Sequence, residues 1–117
     1  MMHAPVPTDI LLHRQSRTLE VRFDDGKTFV LPWEYLRVFS PSAEVRGRRG
    51  ADRILVLGKQ DVVITEVRPI GRYAVKLLFD DGHRTGLYDW DYLYWLGTHQ
   101  EPNWQDHLRR VAASAKG

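Results

Sequence analysis

The histidines and the adjacent carboxylates are the groups of this sequence best placed to hold a metal or move a proton. They are five histidines, His3, His13, His83, His99 and His107, and two carboxylate pairs, Asp24-Asp25 and Asp80-Asp81. His83 follows Asp81 by two residues, so one short segment offers an imidazole beside two carboxylates. Zn²⁺ and Fe²⁺ accept such donors, which makes His83 the candidate metal ligand. The competing interpretation is a turn histidine whose ring bonds the backbone, and a single histidine without a spaced partner favours it. His99 and His107 are eight apart across Pro102, so they do not form the i, i+4 pair of a helical metal site. Together with His3 and His13 they are expected on the solvated surface.

Other chemistries lack their residues. The chain has no cysteine, which removes thiol catalysis, thiolate-held zinc, iron–sulfur ligation and disulfides. Ser40, Ser42 and Ser114 have no Gly-x-Ser-x-Gly elbow around them. Gly47-Arg48-Arg49-Gly50 lacks the Lys-Ser/Thr ending of a phosphate loop. No His-x-Asp or His-x-Glu pair followed by a distant His supplies an iron facial triad. The aspartate pairs each precede a glycine, where a carboxylate that caps local backbone N–H groups is the simpler account. The expectation is a protein that is not an enzyme.

The elements that position these groups come from a repeat. Phe23-Asp24-Asp25-Gly26 and then Trp33-Glu34-Tyr35-Leu36 return as Phe79-Asp80-Asp81-Gly82 and then Trp90-Asp91-Tyr92-Leu93. Each Asp-Asp-Gly marks a hairpin turn, since glycine supplies the positive φ that tight turns need. Each Trp-acidic-Tyr-Leu run spaces its apolar residues as a short helix does. Leu19, Val21 and Phe23 alternate with polar residues as in a half-buried strand. Further strands are expected at Ile10 to His13, Thr28 to Leu31, Val62 to Val67 and Tyr73 to Phe79. The helices are placed near Trp33 to Val38 and Asp89 to Leu96, the second closed by Gly97 as its C-cap. A last helix over Asn103 to Ala115 would bury Trp104, Leu108 and Val111. The predicted fold is α+β: an antiparallel sheet built from two hairpin-plus-helix pseudo-repeats, with a C-terminal helix.

Composition sets the remaining bounds. With 117 residues, 43% of them hydrophobic, the chain suits one domain with a modest core. A net charge of +2 is too small to point to nucleic acid, and no aromatic residue interleaves the cluster Arg46, Arg48, Arg49, Arg53. Residues 1–7 read as a flexible leader without the features of a secretory signal. No run approaches the roughly 18 apolar residues of a membrane span, and the expected compartment is the cytoplasm.

Two long segments carry a family resemblance. Trp33 to Gly47, and Asp80-Asp81-Gly82-His83-Arg84-Thr85-Gly86-Leu87-Tyr88-Asp89-Trp90-Asp91-Tyr92-Leu93, resemble the gamma-butyrobetaine hydroxylase-like N-terminal domain family in its stand-alone bacterial form. The resemblance implies that this domain spans residues 8–98, with 99–117 a helical extension. It implies a link to 2-oxoglutarate oxygenases of the carnitine pathway or to iron–sulfur ATPases, where the same domain occurs. In the hydroxylases the domain holds a structural zinc through Cys-x-Cys-x-x-Cys and a histidine. Those positions fall here on Ser40, Ser42, Val45 and His83, so the thiolates are lost, and a His83 that holds no metal would bond the backbone or Ser40 or Ser42 instead.

The expected function is a non-catalytic accessory or protein-interaction module, with no cofactor. The partner is an unidentified protein or a second copy of the chain. Its candidate contacts are Arg46, Arg48 and Arg49, in the loop beside His83, and an aromatic patch of Tyr88, Tyr94 and Trp95. The alternative is a metal-binding protein that holds Fe or Zn through His83 and carboxylates.

Overall fold

A computed structural model of the chain describes residues 4–41 and 55–115. Strands β1 (Pro7–His13), β2 (Thr18–Phe23) and β3 (Thr28–Pro32) pair antiparallel in that order and run into helix α1 (Trp33–Val38). Strands β4 (Ile64–Ile70), β5 (Ala74–Phe79) and β6 (Gly86–Asp89) repeat the arrangement and run into α2 (Trp90–Thr98). Helix α3 (Gln100–Ala115) closes the chain. The fold is α+β, and each pseudo-repeat supplies its own three-stranded sheet.

The repeated residues form repeated bonds. Phe23 N–H donates to Lys27 O at 2.8 Å, and Phe79 N–H donates to His83 O at 3.0 Å. Gly26 and Gly82 both have φ of +89°, a conformation that L side chains rarely adopt, so both turns require glycine. Asp24 and Asp80 each donate their N–H at 2.9 Å, to Val6 O and Val63 O respectively. Both carboxylates bond the same residue back, since Asp24 Oδ1 accepts from Val6 N–H and Asp80 Oδ1 from Val63 N–H. Each helix is entered alike: Trp33 N–H bonds Arg17 O and Trp90 N–H bonds Tyr73 O. The aspartate pairs are thus turn fasteners, as their place beside glycine predicted.

The two units also grip each other reciprocally. Tyr35 Oη donates to Leu96 O at 2.7 Å, and Tyr92 Oη donates to Phe39 O at 2.6 Å. Tyr35 and Tyr92 are equivalent in the repeat, and so are Phe39 and Leu96, each pair 57 residues apart. Each helix therefore plugs a buried phenol onto the end of the other, as in a two-fold contact. One core joins both sheets, with Leu19, Val21, Leu31 and Leu36 from the first unit and Ile64, Leu77, Leu93 and Leu96 from the second. The alternation along β2 is as expected, and β5 is buried almost throughout, which explains its continuous apolar run.

Four placements differ from the sequence expectation. The extended chain of β1 starts at Pro7, inside the presumed leader. Gly97 lies within α2 rather than capping it, and the helix runs to Thr98 with His99 as C-cap. A Cβ at Gly97 would run into the Phe29 ring, so space, not turn geometry, selects glycine there. In α3 the buried residue is His107, at 4% exposure, while Leu108 is 45% exposed. The helix starts at Gln100, three residues before the expected Asn103.

Candidate functional site at the second hairpin turn

His83 sits at the end of the β5–β6 turn and is almost fully buried. Its Nε2 lies 2.8 Å from Oγ of Ser40, which follows α1 and is itself buried. Ser40 also hydrogen-bonds the Tyr88 hydroxyl, and Tyr88 Oη donates to Leu36 O. The proton order follows from these contacts. Tyr88 gives its only proton to the Leu36 carbonyl, so its oxygen accepts from Ser40, and Ser40 accepts from His83 Nε2–H. Burial pushes the Tyr88 phenol far above its ordinary range, against the Ser40 bond, so it stays protonated. Gly86 makes the cluster possible, because a Cβ there would lie 2.8 Å from Ser40 Oγ and 2.9 Å from the Tyr88 ring.

Asp81 fastens the outer side of this turn. Its Oδ1 accepts from His83 N–H at 3.1 Å, an Asx-turn contact. Its Oδ2 takes Arg37 Nε at 2.8 Å and Lys59 Nζ at 2.7 Å. Partial burial works against its charge. Lys59, the His83 N–H and Arg37 together overcome that and hold the carboxyl well below the usual range. The partners Arg37 and Lys59 were not singled out from the sequence. Arg37 is 44 residues from Asp81, and no local pattern links residues so far apart.

Among the positions that the resemblance assigns to zinc, Ser40 and His83 are brought together, as expected. Ser42 and Val45 lie outside the described residues, as do Arg46, Arg48, Arg49 and His3. The donors that are described do not match a closed zinc site. A hydroxyl stands where a thiolate would be needed, His83 Nε2 is engaged by it, and the adjacent carboxylates hold backbone and cationic groups. Among the described residues no three His, Cys, Asp or Glu side chains cluster as metal ligands.

The expected aromatic patch is divided by the fold. Tyr88 is fully buried and cannot meet a partner, because β6 turns it toward α1. Tyr94 and Trp95 are half-exposed and line a shallow depression with Pro5, Asp91, Thr98 and His99. Tyr94 Oη donates to Asp25 Oδ2 at 2.6 Å, and Trp95 stacks between Tyr92 and His99. The Tyr94 bond, with the Lys27 N–H, holds the Asp25 carboxyl below its ordinary range. Of the histidines expected at the surface, His99 is exposed and His13 half-exposed against Glu20, while His107 is buried beside Trp104.

The profile of the gamma-butyrobetaine hydroxylase-like, N-terminal family matches residues 10–94, most of the chain and both turns. This chain belongs to that family. It is similar to a protein of known solution NMR structure, 48% identical over 96% of this chain and 83% of that one, with a TM-score of 0.83. A second NMR structure is 44% identical over 97% of this chain and 89% of that one, with a TM-score of 0.82. A crystal structure of a protein of unknown function in the DUF971 family, from Acidithiobacillus ferrooxidans, is 42% identical with a TM-score of 0.66. It covers 78% of this chain and 91% of its own. The chain matches no curated protein. No helix among the described residues is long and apolar enough to cross a membrane.

Proposed function

We propose that this family member is a non-catalytic accessory or protein-interaction module. Its family suggests 2-oxoglutarate oxygenases or iron–sulfur assembly as the setting. One observation carries the proposal. At the position where the hydroxylase domains hold zinc, His83 and Ser40 bond each other within a buried chain that ends on Tyr88 and Leu36. This arrangement joins the β5–β6 turn to the end of α1 by hydrogen bonds, the task a structural metal performs elsewhere. The proposed contacts are Arg46, Arg48 and Arg49, which lie outside the described residues, and the exposed parts of Tyr94 and Trp95.

The first test is elemental mass spectrometry on untagged protein purified without chelators. Metal-free, folded protein is the expected result. Stoichiometric Zn or Fe that is lost in His83→Ala would overturn the proposal in favour of a reworked metal centre. A partner captured by this chain should be released when Arg46, Arg48 and Arg49 are changed to glutamate. Unchanged capture would remove those arginines from the interface.

A further inference from the structure

A cleft of about 520 Å³ lies between the first turn of α1, the last turn of α2 and the first turn of α3, on residues that the site above does not use. Its size falls within the range of small-molecule pockets. Tyr35 and Trp104 form an aromatic wall, their rings edge to face with centroids 6.1 Å apart. Glu34 and Glu101 bring two carboxylates to the same cleft, and among the described residues no lysine, arginine or histidine lines it.

Glu34 is the informative member. Two other partly buried carboxylates among the described residues have cations: Glu20 has Arg22, and Asp81 has Arg37 and Lys59. Half-buried Glu34 has no hydrogen-bond or ion-pair partner among the described residues. Burial, and then the nearby negative charge of Asp61, disfavour its ionised form. A carboxylate in the first turn of a helix gains from the helix dipole. That accounts for Glu101 on the 16-residue α3, and Glu101 also takes a hydrogen bond from Gln105. The six-residue α1 does not offset what Glu34 loses.

Carboxylates that lack a cation, set beside the rings of Tyr35 and Trp104, are complementary to one chemistry. We propose that this cleft binds an organic cation, an alkylammonium or guanidinium group. The charge is met by Glu34 and Glu101, and the apolar part of the ligand packs against Trp104. Such a group could belong to a small amine or to a lysine or arginine of a partner, and the recognition chemistry is the same.

The test is a titration of the isotopically labelled full chain, followed by two-dimensional NMR, with n-butylammonium, methylguanidinium and the neutral analogue n-butanol. The cations should give saturable shifts confined to the Trp104 indole and to the amides of Glu34, Gly97 and Thr98. The alcohol should give none. Glu34→Gln should raise the dissociation constant about tenfold, as expected when a charge-assisted contact is lost, and Glu101→Gln should raise it less. Removing a carboxylate that has no cation leaves the fold intact, so Glu34→Gln should keep the wild-type spectrum outside the cleft. Adding the N-acetyl amides of lysine and arginine separates the sources. Tighter binding of these amides indicates a partner's side chain, and tighter binding of the free amines indicates a metabolite. Equal shifts with n-butanol, shifts centred elsewhere, or undiminished affinity in a folded Glu34→Gln protein would each overturn the proposal.

Discussion

Replacing Gly97 by alanine sets two physical effects against each other, and the structure decides between them. Gly97 is an interior residue of α2, where alanine is favoured over glycine by about 1 kcal/mol in helix propensity. On that ground alone the substitution would stabilise the protein. The new methyl group, however, would overlap the Phe29 ring at three of its carbons. Phe29 cannot simply turn aside, because its ring lies edge-on to Phe23 at 5.8 Å and to Tyr94 at 5.4 Å. Overpacking of this kind costs about 1–3 kcal/mol or more, and with three ring atoms involved the upper end applies. The net expectation is a loss of about 1–2 kcal/mol after the propensity gain is subtracted. For a chain of this length that lowers the melting temperature by about 4–8 °C. Urea unfolding followed by fluorescence and circular dichroism should show a lower midpoint with an unchanged slope. Trimming the ring supplies the control: Gly97→Ala should cost less in a Phe29→Leu background, a favourable coupling between two touching sites. An unchanged or raised midpoint for Gly97→Ala alone would refute the steric account.

Two further perturbations probe the contacts between the repeats and at the turn. Tyr92→Phe removes the hydroxyl that serves Phe39 O and should cost about 1–3 kcal/mol in urea unfolding, with Tyr35→Phe similar. Wild-type stability in both would mean that the reciprocal phenols are not part of the grip between units. Asp81→Asn should lower stability at neutral pH and flatten its acid dependence. Because the folded pKa of Asp81 is depressed, its contribution is fully present above the unfolded value near ~3.9 and is lost as pH falls through the folded one. A variant with the same loss of stability between pH 5 and 2 as the wild type would contradict the assigned pairing with Arg37 and Lys59.

Much of the scaffold is legible in the residues because it rests on local rules. The Asp-Asp-Gly turns, the alternation of Leu19, Val21 and Phe23, and the bounds of α1 all depend on neighbours within a few positions. The end of α2 is not legible in that way. A glycine after an apolar helical run looks like a C-cap, and only Phe29, 68 residues earlier, shows why it is there. Tyr88 looks as exposed as Tyr94 by spacing, yet the path of β6 buries it on Leu36. The fate of His83 is divided between the two levels. Its proximity to Ser40 follows from the family resemblance, while the Tyr88 link and the Arg37–Asp81–Lys59 fastening do not.

The sequence by itself determined a duplicated hairpin-and-helix scaffold, the absence of thiolate chemistry and the loss of the family's cysteine ligands, since each depends on residue identity and short-range geometry. The tertiary structure alone decided which buried groups meet. The exchanged tyrosines, the hydrogen-bond chain through Ser40 and the uncompensated Glu34 beside Trp104 all arise where separate elements close on one another. Pairings over such distances are selected by packing and desolvation of the whole core, which no local pattern encodes.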